Sequence, residues 1–185
     1  MNRRIARALS LGLGCGLLLL LASHSPGAHA DPRIVHVALG GDCNGALPCY
    51  GDIQAAVDAA GEGDEIRVAA ATYTGVSARA GLTQTLYISK TVTIRGGYNP
   101  ADWDTPDPLA NLTTLDAAGE GRVLYIAGGV APTVEGLRIT GGDAAGQGGG
   151  LGGADAGGGV YIDGASAIIS GSLIYGNTAY RGAGL

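Results

Sequence analysis

From residue 31 onward the apolar positions fall in short runs of Val, Ile, Leu and Tyr separated by glycine. Leu86-Tyr87-Ile88, Leu124-Tyr125-Ile126 and Val160-Tyr161-Ile162 share one apolar-Tyr-Ile pattern and recur at steps of 38 and 36 residues. A second run follows each of them, at Thr91 to Gly97, Gly136 to Gly142 and Gly171 to Asn177, and residues 132–144 align with 167–179 at an offset of 35. Recurrence at such a period marks one supersecondary unit stacked on copies of itself. Each unit holds two or three short strands and no stretch of helical spacing, so the predicted fold class is all-β, a coil whose turns stack at roughly 4.8 Å. Ile94, Val134, Ile139, Ile162 and Ile174 are expected to fill its bore, with glycine at the corners.

One segment breaks the strand pattern with helical spacing. Ile53, Ala56, Val57 and Ala60 share a face between a candidate N-cap at Asp52 and a candidate glycine C-cap at Gly61, which predicts a helix over 52–61. An open coil exposes strand edges and an apolar bore, so residues 31–64 read as an N-terminal cap and residues 65–185 as coils. Tyr98 to Asn111, with its prolines and aspartates, and Asp143 to Gly159, almost wholly Gly, Ala and Asp, read as protruding loops.

The first 30 residues have a different character. Arg3, Arg4 and Arg7 precede an apolar stretch over 9–22, and Ala28-His29-Ala30 is a small-x-small cleavage site, the signature of a secretory signal peptide. The apolar stretch is short for a transmembrane helix. Cys15 lies before the run Leu17 to Leu21 instead of after it, which disfavours lipidation. Removing residues 1–30 takes three of the 11 basic residues and none of the 16 acidic ones, leaving a formal charge of −8. An acidic surface disfavours nucleic acid and anionic membranes as partners and suits a secreted or cell-surface protein. Cys43 and Cys49 remain, and in an exported chain they read as a disulfide; a zinc site is the weaker reading, since only His36 accompanies the two thiols.

The segments 52–60 and 63–69, Asp-Ile-Gln-Ala-Ala-Val-Asp-Ala-Ala and Gly-Asp-Glu-Ile-Arg-Val-Ala, resemble the N-terminal cap and first coil of pectin-lyase-like right-handed parallel β-helix proteins. Gly157 to Tyr161 and Ile174 to Ala179 are similar to the Gly-rich and x-x-Asn repeats of polymorphic outer-membrane proteins and autotransporter passengers, although Ile174 stands where those repeats carry Phe. The resemblance covers residues 50 to 185 and implies architecture more firmly than activity.

Candidate chemistry is sparse. Trp103, the only Trp, sits with Asp102, Asp104 and Asp107, a combination suited to carbohydrate contact, though packing of the loop onto the coil is the favoured reading. In the run Gly149 to Asp155 the aspartate arrives one residue late for a calcium-binding glycine repeat, so a structural loop is favoured over calcium. His36 lies in the strand pattern Arg33 to Val37 without a nucleophile partner. Asn111-Leu112-Thr113 matches a glycosylation acceptor, and neither Gly12 to Gly16 nor Gly146 to Gly153 has the lysine and helix of a phosphate loop. No catalytic residue or cofactor is assigned.

Two functions follow as expectations. The first is a secreted or cell-surface scaffold or adhesin that meets a polysaccharide or other cell-surface ligand. The second is the N-terminal portion of a polysaccharide lyase or glycoside hydrolase whose catalytic coils follow residue 185. Gly182 to Leu185 restates Gly157 to Val160, so the chain is expected to be a fragment, and to self-associate through an open end carrying Ile168 and Ile174.

Overall fold

The computed structural model describes residues 31–185; the basic residues, apolar stretch, Cys15 and Ala28-His29-Ala30 that read as a signal peptide lie outside the described residues. The strands run β1 (Ile34–Val37), β2 (Cys49–Tyr50), β3 (Glu65–Ala69), β4 (Ala71–Thr74), β5 (Ser77–Arg79), β6 (Leu82–Ile88), β7 (Thr93–Tyr98), β8 (Thr113–Asp116), β9 (Arg122–Ala127), β10 (Thr133–Glu135), β11 (Leu137–Thr140), β12 (Val160–Asp163), β13 (Ile168–Ser170) and β14 (Leu173–Ile174), with helix α1 (Ile53–Ala59) between β2 and β3. They form three sheets. The first has the order β13-β10-β7-β3-β1-β2, the second β14-β11-β8-β4 and the third β12-β9-β6-β5. Pairing is parallel throughout except in the β5–β6 hairpin. From β3 on, the chain visits the first, second and third sheets in turn and then returns to the first.

The sequence offsets are the strand registers. Tyr87, Tyr125 and Tyr161 pair across the third sheet, and Thr133 pairs with Ile168 at the offset of 35. Strand side chains alternate between faces, so each register aligns a whole inward row. Val35, Ile66, Ile94, Val134 and Ile169 form one such row, and Tyr73, Leu115, Ile139 and Ile174 another. Ile66, Ile94, Val134, Leu115 and Ile139 are wholly buried, each worth about 1.5–3 kcal/mol against exposure. Ile162 and Ile174 are half-buried against this core.

Two expectations need correction. Ile168 does not face the core: it lies in register with Thr133 and Thr93 on the outward face and is 63% exposed, while Ile169 takes the inward place. With a period of two, a shift of one residue exchanges the faces. The helix is also shorter than the pattern predicts. Asp52 does cap it, its Oδ1 accepting from the Ala55 amide at 2.8 Å, but Ala60 is already extended. The Gly61 amide donates to Asp64 Oδ2 at 2.8 Å, and Lys90 Nζ supplies the C-terminal cap by bonding the carbonyls of Val57, Asp58 and Ala60 at 3.1, 2.7 and 2.6 Å. A cation placed there also faces the negative end of the helix.

The apolar face of α1 is buried as expected, with Ile53, Ala56, Val57 and Ala60 at most 4% exposed. Gln54 does the work of a missing strand: its Oε1 accepts from the Tyr87 amide at 2.7 Å and its Nε2 donates to the Tyr87 carbonyl at 3.1 Å. The β6 backbone is thereby satisfied beside the helix, as buried peptide groups require.

Candidate functional site

The outward face of the first sheet concentrates charge. Parallel register places His36, Arg67, Arg95, Glu135 and Ser170 in one row and Glu65, Thr93 and Thr133 in the next. Glu65 Oε1 accepts from Arg67 Nε at 3.0 Å, from Arg95 Nη1 at 3.2 Å and from the Tyr98 hydroxyl at 3.3 Å. Arg95 Nε reaches Glu135 Oε2 at 2.7 Å, and the Ser170 hydroxyl donates to the other oxygen of Glu135 at 3.3 Å. The bond to Glu135 holds the Arg95 guanidinium more tightly protonated than usual, and burial pushes the Tyr98 hydroxyl up. The face is a run of alternating charges, each held by its neighbours.

The loop 99–112 lies against this face. Asp102 Oδ1 accepts from the amides of Asp104 and Thr105, and Asp107 Oδ1 from those of Leu109 and Ala110, so both carboxylates close local turns. Asp104 points into solvent, 97% exposed, with an oxygen 3.5 Å from Arg67 Nη1. Gly97 makes the close approach possible: its φ is +89°, the Asp107 amide donates to its carbonyl at 2.7 Å, and a side chain there would strike Pro108.

Trp103 turns back towards the N-terminal segment. Its ring meets His36 edge-on at 4.8 Å and lies 5.8 Å from Tyr98; its Nε1 donates to the Cys43 carbonyl at 3.1 Å, and its own carbonyl accepts from Arg67. Burial lowers the pKa of His36, whose Nδ1 lies 3.3 Å from the Pro48 carbonyl. Cys43 and Cys49 form a disulfide beneath this cluster. Thus Trp103 is separated in role from its three neighbouring aspartates: it anchors the loop, and they shape and expose it.

Between loop and sheet runs a cleft of about 220 Å³. Its lining combines Gly96, Gly136 and Gly171 with Pro106 and Pro108 of the loop and Arg95, Glu135 and Ser170 of the sheet. Such a cleft presents rigid apolar rings beside fixed hydrogen-bonding groups, the mix that ligand sites use to combine area with orientation. Its one lining carboxylate, Glu135, is committed to Arg95.

The glycine-rich loop 143–159 is organised differently. Asp155 accepts from the Gly146 and Gly148 amides at 3.0 and 2.7 Å, and these bonds keep its pKa below the usual carboxylate value. Beside it Arg122, fully buried, donates to Gly148, Ala156 and the Gln147 side chain, with the Tyr161 ring 4.4 Å away. Among the described residues no three His, Cys, Asp or Glu side chains are grouped to hold a metal ion.

Sequence reasoning missed Glu65, Arg67, Arg95 and Glu135. Their signal was present: Glu65-Ile66-Arg67, Thr93-Ile94-Arg95 and Thr133-Val134-Glu135 each flank one inward residue with two outward polar ones. Reading it required the offset between β3 and β7, which the aligned repeats did not supply. No family model, curated protein or solved structure matches the chain.

Proposed function

We propose that this chain is an exported right-handed parallel β-helix acting as a secreted or cell-surface binding scaffold, with a polysaccharide or similar surface ligand at the cleft beside loop 99–112. The cyclic visiting of three parallel sheets supports the coil, and parallel crossovers are right-handed in about 98% of cases. Export rests on the basic, apolar and Ala-His-Ala segments of the leader. The pectin-lyase-like resemblance of residues 52–69 is in keeping with both.

The observation that carries the reading is the cleft itself, lined by glycines and by two prolines of the loop beside an immobilised ladder of charge. Binding needs fixed geometry more than a reactive group, and here the charged groups are fixed by one another. The test is binding of purified protein to a panel of plant, fungal and bacterial polysaccharides, with Ser170→Tyr placed to fill the cleft. The expected result is binding to at least one polysaccharide that Ser170→Tyr abolishes. No binding, or binding that this substitution leaves intact, overturns the proposal; release of new chain ends from a bound polysaccharide replaces it with the enzyme reading.

A further inference from the structure

The disulfide and the loop that walls the cleft meet at one atom, the Cys43 carbonyl oxygen. It accepts from Trp103 Nε1 at 3.1 Å and from the Ala46 amide at 3.1 Å. The two cysteines are held very differently. Cys49 belongs to β2, paired in register with His36 of β1, and its neighbours bond into the same sheet through His36 N to the Pro48 carbonyl and Ala38 N to the Tyr50 carbonyl. Cys43 lies on an irregular loop in which Gly40, Gly41, Asn44 and Gly45 all have positive φ. A chain that depends on several left-handed residues gains many conformations once released. The disulfide is therefore the covalent link between a sheet-anchored residue and the one that receives the Trp103 indole.

We propose that the Cys43–Cys49 bond is a reducible latch for loop 99–112. In the oxidised protein Cys43 packs with Ala38, Ala69, Ala46 and Trp103, and the indole is fixed between the Cys43 carbonyl, His36 and Tyr98. Cys43 is 3% exposed whereas Cys49 is half-buried, so the accessible point of attack is the Cys49 sulfur. A small-molecule thiolate attacks it, forming a mixed disulfide and expelling the Cys43 thiolate. A second thiol then resolves the mixed disulfide, leaving two protein thiols and one oxidised dithiol. Cys43 is then covalently tied to the sheet by main chain alone, and the indole loses its fixed acceptor. The effect passes along the loop: Pro106 and Pro108 wall the cleft and follow Trp103 by only a few residues. The latch stands on the disulfide and Trp103 geometry, whether or not the cleft takes a polysaccharide.

The single Trp makes the test direct. Residues 99–111 are followed by Trp emission, near-UV circular dichroism and amide exchange in the oxidised protein, after dithiothreitol, and after re-oxidation, well below the melting transition. Reduction is expected to shift Trp emission to the red, weaken the near-UV signal and speed exchange at Asp107 and Asn111, whose amides bond to Gly97 and Asp107. Exchange in β3 and β7 stays slow, and re-oxidation restores every signal. Cys43→Ser/Cys49→Ser should reproduce the reduced state; if it does not fold, the reversible cycle of the natural protein decides alone. Unchanged emission and exchange on confirmed reduction overturn the latch, as does a loss of protection spread evenly over all three sheets, which would make the bond a global staple.

Discussion

Arg122→Met tests whether a buried cation with no carboxylate partner holds the loop 143–159 in place. Methionine keeps the apolar stem and removes the guanidinium. Arg122 Nε and Nη2 both donate to the Ala156 carbonyl at 3.0 and 2.9 Å, Nη2 also to Gly148 at 2.7 Å, and Nη1 to Gln147 Oε1 at 3.1 Å. The nearby carboxylate of Asp155 is occupied by loop amides. Hydrogen bonds to a charged group are worth about 1.5–3 kcal/mol each. With the Gln147 carbonyl 3.4 Å from Nη2, four acceptors therefore represent several kcal/mol, and the desolvation of the buried charge offsets part of that gain. Ala156, Gly148 and Gln147 are half-buried, so water repairs some of the loss. The net cost expected for Arg122→Met is about 3 kcal/mol, a fall in Tm of roughly 6–12 °C for a chain of this size. Arg122→Lys should fall between, because one ammonium cannot reproduce the fork. Thermal unfolding followed by far-UV circular dichroism measures both. A melting curve for Arg122→Met that coincides with that of the natural protein would refute the reasoning, showing that desolvation cancels the hydrogen bonds.

Lys90→Met removes the donor to three carbonyls at the C-terminal end of α1 and should destabilise by about 1–2 kcal/mol, with exchange at the Val57 and Ala60 amides rising first. Burial holds the pKa of His36 below its ordinary 6.5, so as pH falls the unfolded chain takes up a proton before the folded one does; the stability present above that value is lost on descending from it towards the folded pKa. His36→Asn should flatten this part of the stability profile, and identical slopes for the two proteins would exclude His36 as its source. Asn177→Ala deletes bonds to the Gly142 amide at 2.8 Å and the Ile139 carbonyl at 3.1 Å and should cost about 1–3 kcal/mol in urea unfolding. Gly142→Ala should cost more, since its Cβ would lie 2.0 Å from the Gly158 carbonyl oxygen.

The sequence by itself determined what depends on local periodicity. The offsets of 35, 36 and 38 residues became strand registers, alternation named Ile94, Val134 and Ile139 as inward, and the spacing of Ile53, Ala56, Val57 and Ala60 fixed the buried face of α1. Each is a property of a few neighbouring residues, repeated until one solution satisfies all copies. The tertiary structure decided what depends on the path between repeats. Trp103 lies 60 residues from the carbonyl it bonds, and Lys90 lies 30 from the Ala60 carbonyl just past α1. Glu65, Arg95 and Glu135 join into one ladder only because β3, β7 and β10 stack. A loop's composition reveals that it leaves the sheets; where its side chains land is settled by the surfaces it meets, and those are assembled only when distant strands are already packed.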